Sequence, residues 1–260
     1  MKSPGAIAFS ILGIDVKYYG ILIAIGMATC IIISLRRTTH TAIAKDKLLD
    51  GSIIAIIAGI IGARLYYVVF SFEVYKDNIG EIFHIRNGGL AIHGGLILGT
   101  LALFAYCKKK NIDFLEFADL VIPGVALAQS IGRWGNFFNE EAYGSRTNLP
   151  FALNINGEMV HPTFLYESIW CLLIFIVLSY IFYKRHSFNG QLLFLYGMLY
   201  SAERFFVEGL RVDSLYFMKM RRHRKIHNNI AIDSKYNQKT WENIICLKGR
   251  ISEADKIQSG

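Results

Sequence analysis

Residues 48–72 read LLDGSIIAIIAGIIGARLYYVVFSF, a run that carries charge only at Asp50 and Arg64. It is longer than the roughly 20 apolar residues that cross a bilayer. Backbone in hydrocarbon must satisfy its own hydrogen bonds, so the run reads as a membrane helix and not as part of an open sheet. Working outward, comparable apolar stretches lie at about 18–36, 89–107, 115–138, 162–183 and 190–209. The predicted fold is therefore an all-α, polytopic membrane helix bundle with six transmembrane helices. Composition agrees: 53% of residues are hydrophobic and only 18% charged, with a mean hydropathy of +0.35, too apolar for an ordinary soluble domain.

Basic residues follow the first, third and fifth stretches: Arg36, Arg37, Lys45 and Lys47, then Lys108 to Lys110, then Lys184 and Arg185. Basic loops stay on the cytoplasmic side, which predicts the N-terminus, the 73–88 loop and the 139–161 loop outside. No small-residue cleavage site precedes the first stretch, so no removable signal peptide is expected. One transmembrane domain over 1–217 and a polar, basic, poorly ordered tail over 218–260 account for the chain. Much of the net charge of +8 sits in that tail, and no basic patch is interleaved with aromatics in the apolar part, so no nucleic-acid partner is expected. Cys30, Cys107, Cys171 and Cys246 show no metal-ligand or redox spacing, and no metal or cofactor is predicted.

Ionisable residues inside apolar spans cost roughly 2.5–3.5 kcal/mol each on insertion scales, so each one calls for a reason. In GRWGNFFNEEAYG (132–144), Arg133, Asn136 and Asn139 follow at intervals of three and can share one helix face. Gly132, Gly135 and Gly144 would let backbone come close to a bound group. In YSAERFFVEGLRVDS (200–214), Tyr200, Arg204 and Glu208 form a stripe at i, i+4 and i+8, unless Arg204 and Glu208 merely neutralise each other. In RNGGLAIHGGLILG (86–99), His93 stands among Gly88, Gly89, Gly94 and Gly95, where an aliphatic neighbourhood gives a neutral imidazole little to do except accept a proton. Arg64 reads equally as a functional cation or as the partner of a carboxylate such as Glu116 or Asp119, and Glu167 in HPTFLYES (161–168) reads as a buried partner for one of the arginines. Tyr18 and Tyr19 by default read as interfacial aromatics. Tyr19, His93, Arg133, Asn136, His161, Tyr200, Arg204 and Glu208 all map toward the outer ends of the helices. Several cations in a low-dielectric site suit an anionic ligand, and the abundant anion beside a membrane site is a phospholipid phosphate.

The strings IHGG, GRWGNFFNEEAYG, HPTFLYES and YSAERFFVEGLRVDSLY resemble those of the bacterial prolipoprotein diacylglyceryl transferases, over roughly residues 10–217. The resemblance implies an enzyme of the bacterial cytoplasmic membrane with two partners besides the bilayer: phosphatidylglycerol and a prolipoprotein signal peptide bearing a lipobox cysteine. The implied reaction moves diacylglyceryl onto the cysteine thiol, giving a thioether and glycerol-1-phosphate, the first step of lipoprotein maturation. By the same resemblance His93, Arg133, Arg204 and Glu208 are catalytic, and Tyr19, Asn136, Asn139, Glu141, Gly144 and Tyr200 bind substrate. Beyond residue 217, where the family continues with a further apolar segment, this chain has the polar tail, and Phe164 stands where Gln is usual. The competing readings are a transporter or channel for an anionic solute and an inactive, truncated copy of the transferase.

Overall fold

The computed structural model describes residues 1–11, 13–72, 75–76, 79–83 and 88–209. Six long helices fall where the apolar runs place them: α1 (Tyr18–Arg37), α2 (Lys45–Phe70), α3 (Ile92–Lys110), α4 (Phe114–Asn139), α5 (Thr163–Lys184) and α6 (Gln191–Glu208). Four of them, α1 with the turn after it, α2, α4 and α5, are long and apolar enough to cross a membrane. α3 carries three lysines in its last turn, and α6, at 18 residues, contains Glu203, Arg204 and Glu208. The outward surfaces are apolar: Phe70 is 73% exposed, Leu96 69%, Met198 71% and Phe205 80%, a density of exposed hydrophobics that water would not tolerate. The tail lies outside the described residues.

The fold is mostly helical, but among the described residues it departs from all-α by two short antiparallel hairpins. β1 (Ile7–Ile11) pairs with β2 (Ile14–Lys17) directly before α1. β3 (Leu153–Ile155) pairs with β4 (Glu158–Val160) between α4 and α5. The second hairpin turns through Asn156 (φ 50°) and Gly157 (φ 89°), the left-handed pair that a two-residue turn matched to strand twist requires.

Successive helices alternate in direction, so the starts of α1, α3 and α5 share one end of the bundle with the finishes of α2, α4 and α6. The buried core sits at the opposite end, built from Leu48, Tyr106, Phe117, Leu120, Leu178 and Leu192. There the Tyr106 hydroxyl donates to the Lys47 carbonyl at 3.0 Å. Arg37 of α1 donates to the Ser179 hydroxyl of α5 at 2.7 Å. Asp119 of α4 accepts from the amides of Gly190 and Leu193 at 2.8 and 2.9 Å and pairs with His186 at 2.8 Å, capping the start of α6. Small residues set the helix crossings: a β-carbon on Gly62 of α2 would lie 2.4 Å from the Gly94 carbonyl of α3.

Candidate active site

Arg133 and Arg204 come from the last turns of α4 and α6, and the residue between them is Glu167, in the first turns of α5. Its Oε2 lies 2.9 Å from Arg133 Nη1 and its Oε1 3.0 Å from Arg204 Nη1. The carboxylate side chain is fully buried, whereas the two arginine side chains are 18% and 32% exposed. The cations thus reach outward from a sealed anion. Arg133 Nη2 also donates to the Tyr200 hydroxyl at 3.3 Å. Sequence reading gave Glu167 one arginine; it has both. The alternative Arg204–Glu208 pairing concerns the Glu208 side chain, which lies outside the described residues.

Arg133 opens onto a cavity of about 490 Å³. Tyr19, Gln129, Arg133, Asn136 and Tyr200 line its arginine end, while Ile23, Met27, Ile31, Ile56, Val121 and Phe117, with the Ser52 hydroxyl among them, continue it between α1, α2 and α4. From Tyr19 to Ile31 the wall runs roughly 18 Å along α1, and from Asn136 to Phe117 roughly 28 Å along α4, at about 1.5 Å per residue. The site therefore joins a charged end to an apolar groove that covers most of the thickness of a hydrocarbon core.

Not every residue singled out from sequence lines this cavity. Asn139, the last residue of α4, is not part of the cavity lining: its amide donates to the Glu141 carboxylate at 3.2 Å, in the loop after α4. The chain turns there through Glu140, at φ 53°. The Gly144 amide donates to the His161 carbonyl at 2.9 Å, closing that loop on the start of α5. Arg204 joins the site through Glu167. His93 is exposed at the start of α3, with its ring 6.4 Å from that of Tyr66; its chain neighbour Ile92 lines the cavity.

Gly135, Gly94 and Gly89 are close-packed within the protein, whereas Gly132 lines the cavity. The Tyr19 ring lies against Gly135, where a β-carbon would be 2.3 Å from Cδ2, so Tyr19 is a wall of the site rather than a mere interfacial aromatic. Gly94 is the crossing point with α2, and at Gly89, whose φ is +77°, a β-carbon would meet Arg64 Nη1 at 2.4 Å. The sequence expectation that Arg64 pairs with Glu116 or Asp119 is corrected. Arg64 donates to the carbonyls of Ile82, Gly88 and Gly89 at 2.7, 3.0 and 2.9 Å, Glu116 accepts from the Ala42 amide, and Asp119 caps α6. Sequence reading passed over Gln129, which lines the cavity and accepts from the Tyr196 hydroxyl at 2.6 Å. Its place one turn before Arg133 was a usable signal.

An apolar helical bundle with a guanidinium-lined cavity between its helices defines a polytopic membrane protein with a built polar site. A family model described as prolipoprotein diacylglyceryl transferase matches residues 6–226. The phosphatidylglycerol–prolipoprotein diacylglyceryl transferase of Finegoldia magna is 50% identical over 215 residues, 83% of this chain and 87% of the relative. That of Clostridioides difficile is 54% identical over 209 residues, 80% of this chain and 84% of the relative. The chain belongs to the prolipoprotein diacylglyceryl transferase family, a family of transferases.

Proposed function

We propose that this chain transfers the diacylglyceryl group of phosphatidylglycerol to the lipobox cysteine thiol of prolipoproteins, in the bacterial cytoplasmic membrane, with six spans and the N-terminus outside. The observation that carries this reading is the shape of the cavity. It has one cationic, hydrogen-bonding end and a long apolar remainder, which is the complement of an anionic lipid.

In the proposed reaction Arg133 and Arg204 hold the phosphodiester, with Asn136, Tyr200 and Tyr19 orienting it. The thiol gives its proton to His93, and the thiolate attacks the glycerol carbon that bears the phosphate. A carbon–sulfur bond forms as the carbon–oxygen bond breaks, and glycerol-1-phosphate leaves with the bonding pair. The arginines stabilise the charge that gathers on that leaving group. His93 stands at the start of α3, where a peptide approaching from outside would meet the lipid in the cavity. Asn139, Glu141 and Gly144 shape the loop over the same end, and Glu208 completes the stripe of α6.

Transfer of labelled diacylglyceryl from phosphatidylglycerol to a lipobox peptide, by membranes containing this chain, tests the reading. Transfer that is lost in Arg133→Lys and Arg204→Lys is the expected result, because a point-charge ammonium cannot reproduce a planar fork. Full activity in both lysine variants would remove the arginines from the phosphate. Absence of transfer by the unaltered chain would remove the function.

A further inference from the structure

Glu167 is read by the sequence as a neutralising partner, yet its surroundings are built more tightly than neutralisation needs. Its neighbour Ser168 and Ser130, three residues before Arg133, exchange hydrogen bonds: each hydroxyl donates to the other's carbonyl, at 2.8 and 2.9 Å. α5 is thereby clasped to α4 beside the carboxylate. Two residues further on, Trp170 Nε1 donates to the Leu199 carbonyl of α6 at 3.1 Å, next to Tyr200. Thr163, one turn before Glu167, is also fully buried. The carboxylate thus stands on a segment fixed to both helices that carry the arginines, and it gives one oxygen to each.

We infer that Glu167 is a positioning residue for the transfer reaction: it fixes the two guanidiniums relative to one another and cancels one of their charges, so that a phosphodiester is held while the more highly charged phosphomonoester product is released. This rests on the transferase reading. Two unpaired guanidiniums on neighbouring helices repel, and a clamp that relaxes between turnovers loses the advantage of prearranged donors. The charge effect has a direction of its own. A fixed anion beside the phosphate costs a dianion about twice what it costs a monoanion, so it weakens product more than substrate.

Glutamine at 167 has nearly the same shape, but one acceptor oxygen and an amide that donates. It can satisfy one arginine only, and it restores the lost positive charge. Aspartate keeps the charge and is too short to reach both partners. The experiment measures kcat, KM for phosphatidylglycerol and inhibition by added glycerol-1-phosphate for the full chain in lipid nanodiscs, per molecule of folded enzyme. In Glu167→Gln, kcat falls at least about tenfold while glycerol-1-phosphate inhibits about tenfold more tightly. In Glu167→Asp, kcat falls but the inhibition constant stays within about twofold of the parent.

Wild-type kcat in Glu167→Gln, or a lower kcat with unchanged product inhibition, would overturn the inference, the second because it is what a purely structural residue gives. Should the glutamine variant fail to accumulate, Glu167→Asn, which also removes the charge, takes its place: tighter inhibition by glycerol-1-phosphate supports the inference and unchanged inhibition overturns it, while wild-type kcat in Glu167→Asp overturns the positioning role. Calorimetric binding of glycerol-1-phosphate needs no turnover. A chain that binds it through Arg133 without transferring lipid would sink the transferase reading, while tighter binding by Glu167→Gln would still support the charge role and unchanged binding would overturn it.

Discussion

The ring of Tyr19, at the start of α1, occupies the space that a side chain at Gly135, at the end of α4, would need: a β-carbon there would lie 2.3 Å from Cδ2 and 3.0 Å from Cε2. Gly132, one turn earlier, would bring a β-carbon only to 3.4 Å from the Ile23 methyl. Gly135→Ala is expected to displace Tyr19 from the cavity wall, costing about 1–3 kcal/mol of overpacking and most of the transferase activity. Gly132→Ala is expected to keep the parent's thermal stability or raise it, since alanine is the better helix former. Thermal unfolding of both variants, beside the transfer assay, checks the pair. Equal damage from the two would show that the Tyr19 contact is not what makes position 135 sensitive.

Asp119 gives the second prediction. It is buried, accepts the amides of Gly190 and Leu193, and pairs with His186. α6 carries Tyr200 and Arg204 toward the site, so its first turn is held by a carboxylate of another helix. Asp119→Ala leaves the buried Gly190 amide, the partly buried Leu193 amide and a histidine without their acceptor and should cost about 2–4 kcal/mol. Asp119→Asn keeps one acceptor oxygen and should cost about 1–3 kcal/mol. Unfolding midpoints ranked parent, Asn, Ala are the expected outcome. A midpoint unchanged in Asp119→Ala would show that α6 does not depend on this cap.

The helices were legible because membrane span length is a property of composition: all six expected stretches agree with the observed helices to within about three residues at either end, close to the limit set by fraying. Arg133, Asn136, Tyr200 and Tyr19 were legible as one site because a polar group in an apolar helix carries its own signal. What spacing could not supply was the partner across the bundle. Whether Glu167 meets one arginine or two, and whether Asp119 meets Arg64 or the start of α6, depends on how each helix is rotated about its axis. Spacing put Asn139 on the Arg133 face, and α4 does run to Asn139; what spacing could not show is that the chain turns at once through Glu140 and brings the Glu141 carboxylate to that amide. The Asn156–Gly157 turn of the second hairpin was a sequence signal left unread, since the 139–161 segment was treated only as a loop.

Arg64 organises the entry to α3. Its guanidinium bonds three carbonyls of the preceding loop and lies 5.3 Å over the Tyr75 ring, while the Ala91 amide donates to the Ala63 carbonyl at 3.0 Å. His93 follows two residues later. A lysine cannot span those carbonyls, so Arg64→Lys should loosen residues 79–83 and 88–91 and lower activity at least about tenfold, with Arg133-dependent lipid binding retained. Hydrogen exchange checks the first part, with faster exchange at those residues. Unchanged exchange and activity would separate Arg64 from the placement of His93.

Asp113 provides a pH-dependent test at the opposite end of the bundle. It caps α4 by accepting the Leu115 amide at 2.9 Å and accepts the Asn189 side chain, from the α5–α6 connection, at 2.7 Å. The Asn189 amide first, and then the Leu115 N–H, hold this carboxyl below the ordinary carboxylate range. A carboxyl with a depressed folded-state value contributes stability that is fully present above its unfolded value, near 4, and is lost as pH falls through the folded value. Asp113→Ala should therefore cost about 1 kcal/mol at pH 7, as loss of a helix N-cap does, and that difference from the parent should shrink progressively below about pH 4. Midpoints of both proteins measured from pH 7 down to the acid limit decide it: a penalty that stays constant through that range would mean that the charge of Asp113 contributes nothing and that only its packing does.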